Sequence, residues 1–360
     1  MAKASRWPRR SILPGVLVLA VAGTWWAGER YAARDWLPWF VAQKGELVSV
    51  AVLNRRQTPQ GMLQALRLTD NRGLAVDVQL RLPPPDGRLR PVLVILGGVQ
   101  TGGRTSELVP DTGPFILASV DYPYAGRRRG LSVGQFLAAL PAMRRAVLMT
   151  APATMLVLDY LHTREDVDRD RIVLAGGSFG ALLAPAAAAA EPRIDGLVVL
   201  FGAGDLESLI AATLDVPGPF DRPVAWIANL IVSPVEPLKY IGRVAPRPVL
   251  LVNGRGDARM PEALGRKLQE QAGNPKKAVW LDIGHATIRS TEFRAVVIDT
   301  LADWLAETGV LSAGEADSLR LRDEDRPKQP DDAEAEHARL DEISETRQVD
   351  APHDSPPLHP

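Results

Sequence analysis

The sequence has no cysteine, only five histidines and almost no net charge. The first absence excludes disulfides, thiolate metal centres and cysteine nucleophiles. The second confines imidazole chemistry to a few places: His162 and His285 in the middle of the chain, and His337, His353 and His359 near its end. The third, a formal charge of −1 from 42 Lys+Arg and 43 Asp+Glu, argues against a nucleic-acid partner, whose footprint is a basic excess. Aromatic residues are only 6% of the chain, but 46% is hydrophobic, which is ample for a core. A length of 360 residues suits one large domain with appendages.

The small net charge is a cancellation. Residues 315–360 hold 14 acidic and 6 basic side chains, whereas residues 1–314 are net positive by seven. Four cations, Lys3, Arg6, Arg9 and Arg10, lie in the first ten residues and precede an apolar run from Ile12 to Ala27. Residues 1–30 therefore read as a signal sequence or a transmembrane anchor. The run is shorter than the roughly 20 residues a spanning helix prefers. Trp25 and Trp26 suit a membrane interface, and Ala20-Val21-Ala22 satisfies the small-x-small rule for cleavage. Arg9-Arg10-Ser11-Ile12-Leu13 resembles a twin-arginine signal only loosely. The positive-inside rule puts the body outside the cytoplasm, anchored to the membrane or, if the signal is cleaved, secreted. Residues 31–44 are read as a juxtamembrane linker in which Trp36, Trp39 and Phe40 either continue the interfacial contact or pack on the body. At the other end, residues 312–360 are too polar to bury enough apolar area and are assigned to a disordered acidic tail, with a short helix conceivable near 331–345. The three histidines there receive no role.

Between the ends, Leu47–Leu53, Met62–Thr69 and Leu74–Leu82 read as strands, the last two joined by the turn Asp70-Asn71-Arg72-Gly73. The pattern then changes. Pro91–Leu96, Phe115–Val120, Arg171–Ala175, Gly196–Phe201, Pro248–Val252 and Ala278–Leu281 are short continuous apolar runs. Helical stretches separate them, among them Arg144–Leu161 and the closing Phe293–Glu307. Continuous apolar strands alternating with helices predict a mostly parallel sheet covered on both faces.

One turn carries chemistry. Gly176, Ser178 and Gly180 form Gly-x-Ser-x-Gly between an apolar strand and an Ala/Leu-rich helix. This context suits a sharp strand-to-helix turn that presents the Ser178 hydroxyl at a helix N-terminus. A serine hydroxyl needs a base. His285 follows the last strand, where a parallel sheet presents catalytic groups, whereas His162 lies in a helical stretch upstream. The base needs an acid to fix its tautomer. Asp257, after the strand and glycine turn Val249–Gly256, gives the order Ser, Asp, His. Asp205 competes for that role, and Asp282 fits a turn cap. Backbone amides of Phe179 and of Val99 in the loop Gly97-Gly98-Val99-Gln100 are the candidate oxyanion donors, with Gln100 as the alternative register.

These residues resemble the α/β-hydrolase superfamily, and within it the dienelactone hydrolase, acetyl xylan esterase and prolyl oligopeptidase-like branch. The resemblance spans about Leu74 to Glu307. It rests on the strand and proline loop before Gly97-Gly98, on Asp166-Val167-Asp168-Arg169-Asp170-Arg171-Ile172 before the elbow, on Ser233-Pro234 with Leu238–Ile241, and on Pro248–Asp257 followed by Met260-Pro261. Two departures stand out: Gly97-Gly98 replaces the frequent His-Gly, and Pro185 interrupts the helix after the elbow, where it should kink that helix or remove a hydrogen bond. The stretch between the apolar run and the body is short, so the N-terminal propeller of the oligopeptidases is not expected.

The resemblance implies an α/β-hydrolase domain over 45–311 with a small cap at 205–245. It implies a serine esterase acting on a small-molecule ester through an acyl-enzyme, with no cofactor and no metal. The cap and the loop Tyr122–Gly126 are expected to line the pocket, and Arg127-Arg128-Arg129 is either an anion-attracting cluster or a solvated loop. A peptidase using the same triad, a lipid-active hydrolase and a membrane-tethered binding protein without turnover remain as alternatives.

Overall fold

A computed structural model describes residues 12–59, 61–109, 113–127, 130–213, 218, 221–285 and 296–320. The chain opens with helices α1 (Ile12–Ala32) and α2 (Leu37–Gln43). Strands β1 (Leu47–Thr58), β2 (Gly61–Asp70) and β3 (Ala75–Leu82) follow as an antiparallel meander. Then strands and helices alternate: β4 (Arg90–Leu96), α3 (Thr105–Leu108), β5 (Ile116–Val120), α4 (Val133–Thr163), β6 (Val167–Gly177), α5 (Phe179–Ala190) and β7 (Gly196–Leu200). Helices α6 (Leu206–Thr213), α7 (Asp221–Val232) and α8 (Pro237–Tyr240) lie in the segment where a cap is expected. The chain continues through β8 (Val249–Gly254), α9 (Glu262–Gln271), β9 (Lys276–Leu281), α10 (Ile298–Glu307) and α11 (Ala313–Leu319).

All nine strands form one sheet in the order β1-β2-β3-β5-β4-β6-β7-β8-β9. β3 pairs antiparallel with β5, and from β5 to β9 every neighbour is parallel. The apolar runs are continuous because alternate residues serve two cores. Val92, Val94 and Leu96 of β4 face one side with α4 and α5, while Leu93 and Ile95 face the other with α10 and α11. Strand β4 starts the parallel part, and its neighbours β5 and β6 lie on opposite sides of it. That reversal opens a crevice at the carboxyl ends of β4 and β6, where ligands bind in sheets of this kind.

The strand expectations for the body hold to within a few residues, β1 being extended to Thr58. Helix α5 runs through Pro185 as one element. Its carboxyl end is tied down by Arg247, which donates to the carbonyls of Ala188, Glu191 and Ile194 at 2.8–3.0 Å. Residues 286–295, which include the start of the expected closing helix, lie outside the described residues, as do Arg128, Arg129 and the tail from residue 321 with its three histidines.

Two expectations for the ends need correction. Residues 31–44 are not a linker: they include α2, Phe40 is fully buried and Trp36 nearly so, and both belong to the main core. Residues 312–320 are not part of a disordered tail. The Ser312 side chain and Glu315 cap α11 reciprocally, Ala316 and Leu319 are buried, and Arg171 pairs with Glu315 at 3.1 Å. Composition averaged over the whole acidic segment hid this short amphipathic piece. No helix among the described residues is long and apolar enough to cross a membrane.

Candidate functional site

The carboxyl edge of the sheet brings three of the singled-out side chains together. Ser178 Oγ–H donates to His285 Nε2 at 3.0 Å, and His285 Nδ1–H donates to Asp257 Oδ2 at 2.7 Å. Oδ1 of Asp257 accepts from the backbone N–H groups of Arg259 and Met260 at 2.8 and 2.9 Å. The Asp257 side chain is fully buried and that of His285 is 9% exposed. The carboxylate is thus held by two amides and one imidazole, away from water that would compete for it.

Backbone geometry at the elbow explains the glycines. Ser178 sits at φ 54°, ψ −113°, outside the regions an L-residue favours. A Cβ on Gly176 would lie 2.6 Å from the Gly180 carbonyl oxygen, and one on Gly180 would collide with the Leu96 carbonyl. The strained serine persists because its surroundings fix it: Ser178 N–H donates to Leu200 O at 2.9 Å, and Ser178 O accepts from Ala181 N–H at 3.0 Å. Close packing of Gly180 on β4 also sets the loop after β4 beside the first turn of α5. Phe179 is the first residue of that helix, so its amide has no acceptor in the preceding turn.

Two aromatic residues complete the surroundings. The Tyr122 hydroxyl donates to the Gly97 carbonyl, and its ring meets Phe179 edge-on with centroids 5.2 Å apart. Tyr122 is 7% exposed and braces the loop carrying Val99. Phe201, at φ 54° just after β7, places its ring 5.6 Å from that of His285. Sequence reasoning missed Phe201; its position directly after an apolar strand was the available signal. It also missed Asn253, the buried residue near the end of β8. Asn253 donates to Gly202 O at 2.8 Å, Gln269 donates to Asn253 Oδ1 at 3.4 Å, and Trp280 donates to Gln269 at 3.0 Å. This chain of bonds ties the loop after β7 to β8, α9 and β9.

The competitors are engaged elsewhere. Asp205 accepts from Ser208 and pairs with Lys267. Burial raises its pKa, but those hydrogen bonds and the Lys267 charge outweigh that and hold the carboxyl below its ordinary range. Asp282 is exposed and paired with Arg255 at 3.0 Å. His162 ends α4 at the opposite edge of the sheet, where burial first and Arg193 second push its pKa down. Among the described residues no group of acidic or histidine side chains is arranged to hold a metal ion.

The fold is that of the α/β hydrolases. By sequence, residues 150–309 match the prolyl oligopeptidase family, a little under half of the chain. No curated protein matches the sequence. Among solved structures, acetyl xylan esterase 1 from Thermoanaerobacterium sp. JW/SL YS485 superimposes with a TM-score of 0.54 at 16% identity, covering 78% of this chain and 93% of the esterase. Acetyl xylan esterase from Paenibacillus sp. R4 gives 0.52 at 15%, covering 70% and 87%. A methylesterase gives 0.55 at 20%, covering 83% and 66%. At these identities the likeness is one of fold.

Proposed function

We propose that the protein is a serine hydrolase that cleaves small-molecule carboxylic esters through an acyl-enzyme. The observation that carries this is the relay from Ser178 through His285 to Asp257, at 3.0 and 2.7 Å, on a strained turn of the fold that hosts such sites. Ser178 Oγ attacks the ester carbonyl carbon as its proton passes to His285 Nε2, and the carbonyl π pair moves onto oxygen. The amides of Phe179 and Val99 hold that oxyanion. Asp257 keeps the imidazole oriented and stabilises the imidazolium. Collapse expels the alcohol, protonated by His285. Water then repeats the sequence with His285 as base and releases the acid. Every proton and electron pair is accounted for by these groups and water. The esterase names of the structural relatives favour an ester over an amide substrate.

The test is Ser178→Ala against p-nitrophenyl acetate, with fluorophosphonate labelling of the parent chain. Expected are loss of turnover and label on Ser178; equal turnover by both proteins overturns the reading. A peptidase is the second reading, favoured by the family matched over 150–309. Cleavage of prolyl p-nitroanilides in preference to esters would establish it. The cationic start and the apolar run after it support export, with the body outside the cytoplasm. Fractionation of cells expressing the chain with and without residues 1–30 checks this.

A further inference from the structure

Exposed apolar side chains lie on the helices that follow the carboxyl ends of β5 and β7, the edge that carries the triad. Helix α4 has 31 residues, about 46 Å, against about 17 Å for the five-residue β5 that feeds it. It leaves the carboxyl end of β5 and is continuously buried only from its middle onward, its first half being largely exposed. Phe136 and Leu137 are exposed there. Helix α7, in the segment that leaves the carboxyl end of β7, exposes Val224 and Ile227. Helix α1 meets the same region. Its last turns are bound to the body: Trp226 of α7 donates to Glu29 at 2.8 Å and stacks near Trp25, Tyr31 bonds with Arg144 of α4, and Lys239 of α8 donates to the Ala32 carbonyl. The rest of α1 stands free. Four consecutive residues, Val16 to Leu19, are each 58–74% exposed, and at 100° per residue they cover nearly the whole circumference. A helix apolar on every face has no side suited to water.

We propose that this face docks on an anionic lipid surface, with α1 retained and immersed in it, and that the ester reaching Ser178 is a long-chain acyl ester taken from that surface. This rests on the ester-hydrolase reading. Charge favours lipid over a protein occupant. The sequence places Lys3, Arg6, Arg9 and Arg10 just ahead of α1, and exposed Arg127 lies on the loop between β5 and α4. Trp25 and Trp26 are both about 60% exposed, between the apolar part of α1 and the body, the depth at which aromatic side chains sit in an interface. Residues so placed bind lipid through apolar area and attract anionic headgroups through their cations.

The experiment uses the full chain with vesicles of phosphatidylcholine and phosphatidylglycerol. Expected are co-sedimentation with the vesicles, quenching of tryptophan emission by brominated acyl chains and hydrolysis of vesicle-embedded p-nitrophenyl palmitate. In Phe136→Ser/Leu137→Ser/Val224→Ser/Ile227→Ser, the rate on the embedded ester relative to that on dissolved p-nitrophenyl acetate should fall about tenfold. These positions are exposed, and the thermal midpoint of the variant reports its folding. A chain that stays in the supernatant, or that self-associates without binding vesicles, overturns the proposal. So does vesicle binding with an unchanged rate ratio in the variant, since the mouth would then not face the lipid. Failure of the underlying reading looks different: no turnover of either ester and no fluorophosphonate label on Ser178.

Discussion

The two edges of the sheet are built on opposite principles. At the carboxyl edge lie all three non-glycine residues with positive φ among those described, Ser178, Phe201 and Asp205. Two of them form or touch the triad. At the amino edge, arginines are met by carboxylates: Arg171 by Asp168 and Glu315, Arg164 by Asp166, and Arg193 by Asp159 and Glu191. One edge holds costly backbone conformations in place, and the other satisfies its charges and closes the helix ends. Strain of this kind persists only where the surroundings over-determine it. The packed core between the edges and the ion pairs below it let the upper edge remain poised.

The sharpest break of this contrast is at the acid. Asp257→Asn keeps the side-chain shape but favours the wrong imidazole tautomer. Steady-state kinetics on p-nitrophenyl acetate should show kcat down by about 10⁴ with an unchanged fold by circular dichroism. Next comes the elbow. A methyl group on Gly180 meets the Leu96 carbonyl, which is backbone and cannot yield without moving β4. Gly180→Ala should lower stability by about 3 kcal/mol, read from the urea midpoint, and remove activity as well. Amino-edge substitutions should cost less and leave kcat intact. A smaller effect is expected at Tyr122. Tyr122→Phe keeps the ring against Phe179 but loses the bond to the Gly97 carbonyl. It should lower kcat about tenfold with little change in KM, and weaken binding of a boronic acid transition-state analogue by a similar factor. A loss of stability alone, with analogue binding intact, would show that Tyr122 only packs.

What the sequence made legible follows the same division. Ser178, Asp257 and His285 were readable because each stands in a turn whose glycines or neighbouring strand mark it, and few other histidines compete. The parallel sheet was readable because its strands are apolar throughout, a pattern that only burial on both faces produces. The bracing of the site was not. Phe201 and Tyr122 act through ring contacts with residues far away in the chain, and Asn253 joins the loop after β7 to α9, segments that meet only in three dimensions. At the ends, composition over long windows outweighed local pattern. The apolar start drew Trp36 and Phe40 into a linker, and the acidic end drew α11 into a tail, although Ser312-x-x-Glu315 is a readable capping box.

That capping box supplies the smallest prediction and the one specific to the amino edge. Burial alone would raise the Glu315 pKa, but hydrogen bonds from the Ser312 amide and hydroxyl and from Arg171 reverse this and hold it below the ordinary 4.5. A carboxyl depressed in the folded state contributes stability above its unfolded pKa and loses it as pH falls through the lower folded value. The attachment of α11 should therefore hold at neutral pH and weaken under acid, starting just below 4.5. Glu315→Gln should lower the thermal midpoint slightly at pH 7 and flatten its acid dependence, while kcat on p-nitrophenyl acetate at pH 7 stays within about twofold of the parent. Hydrogen exchange at residues 313–319 locates the effect. If exchange there is as fast in the parent at neutral pH as in the variant, Arg171 and Glu315 do not hold the helix, and the amino edge owes its order to the buried Ala316 and Leu319 alone.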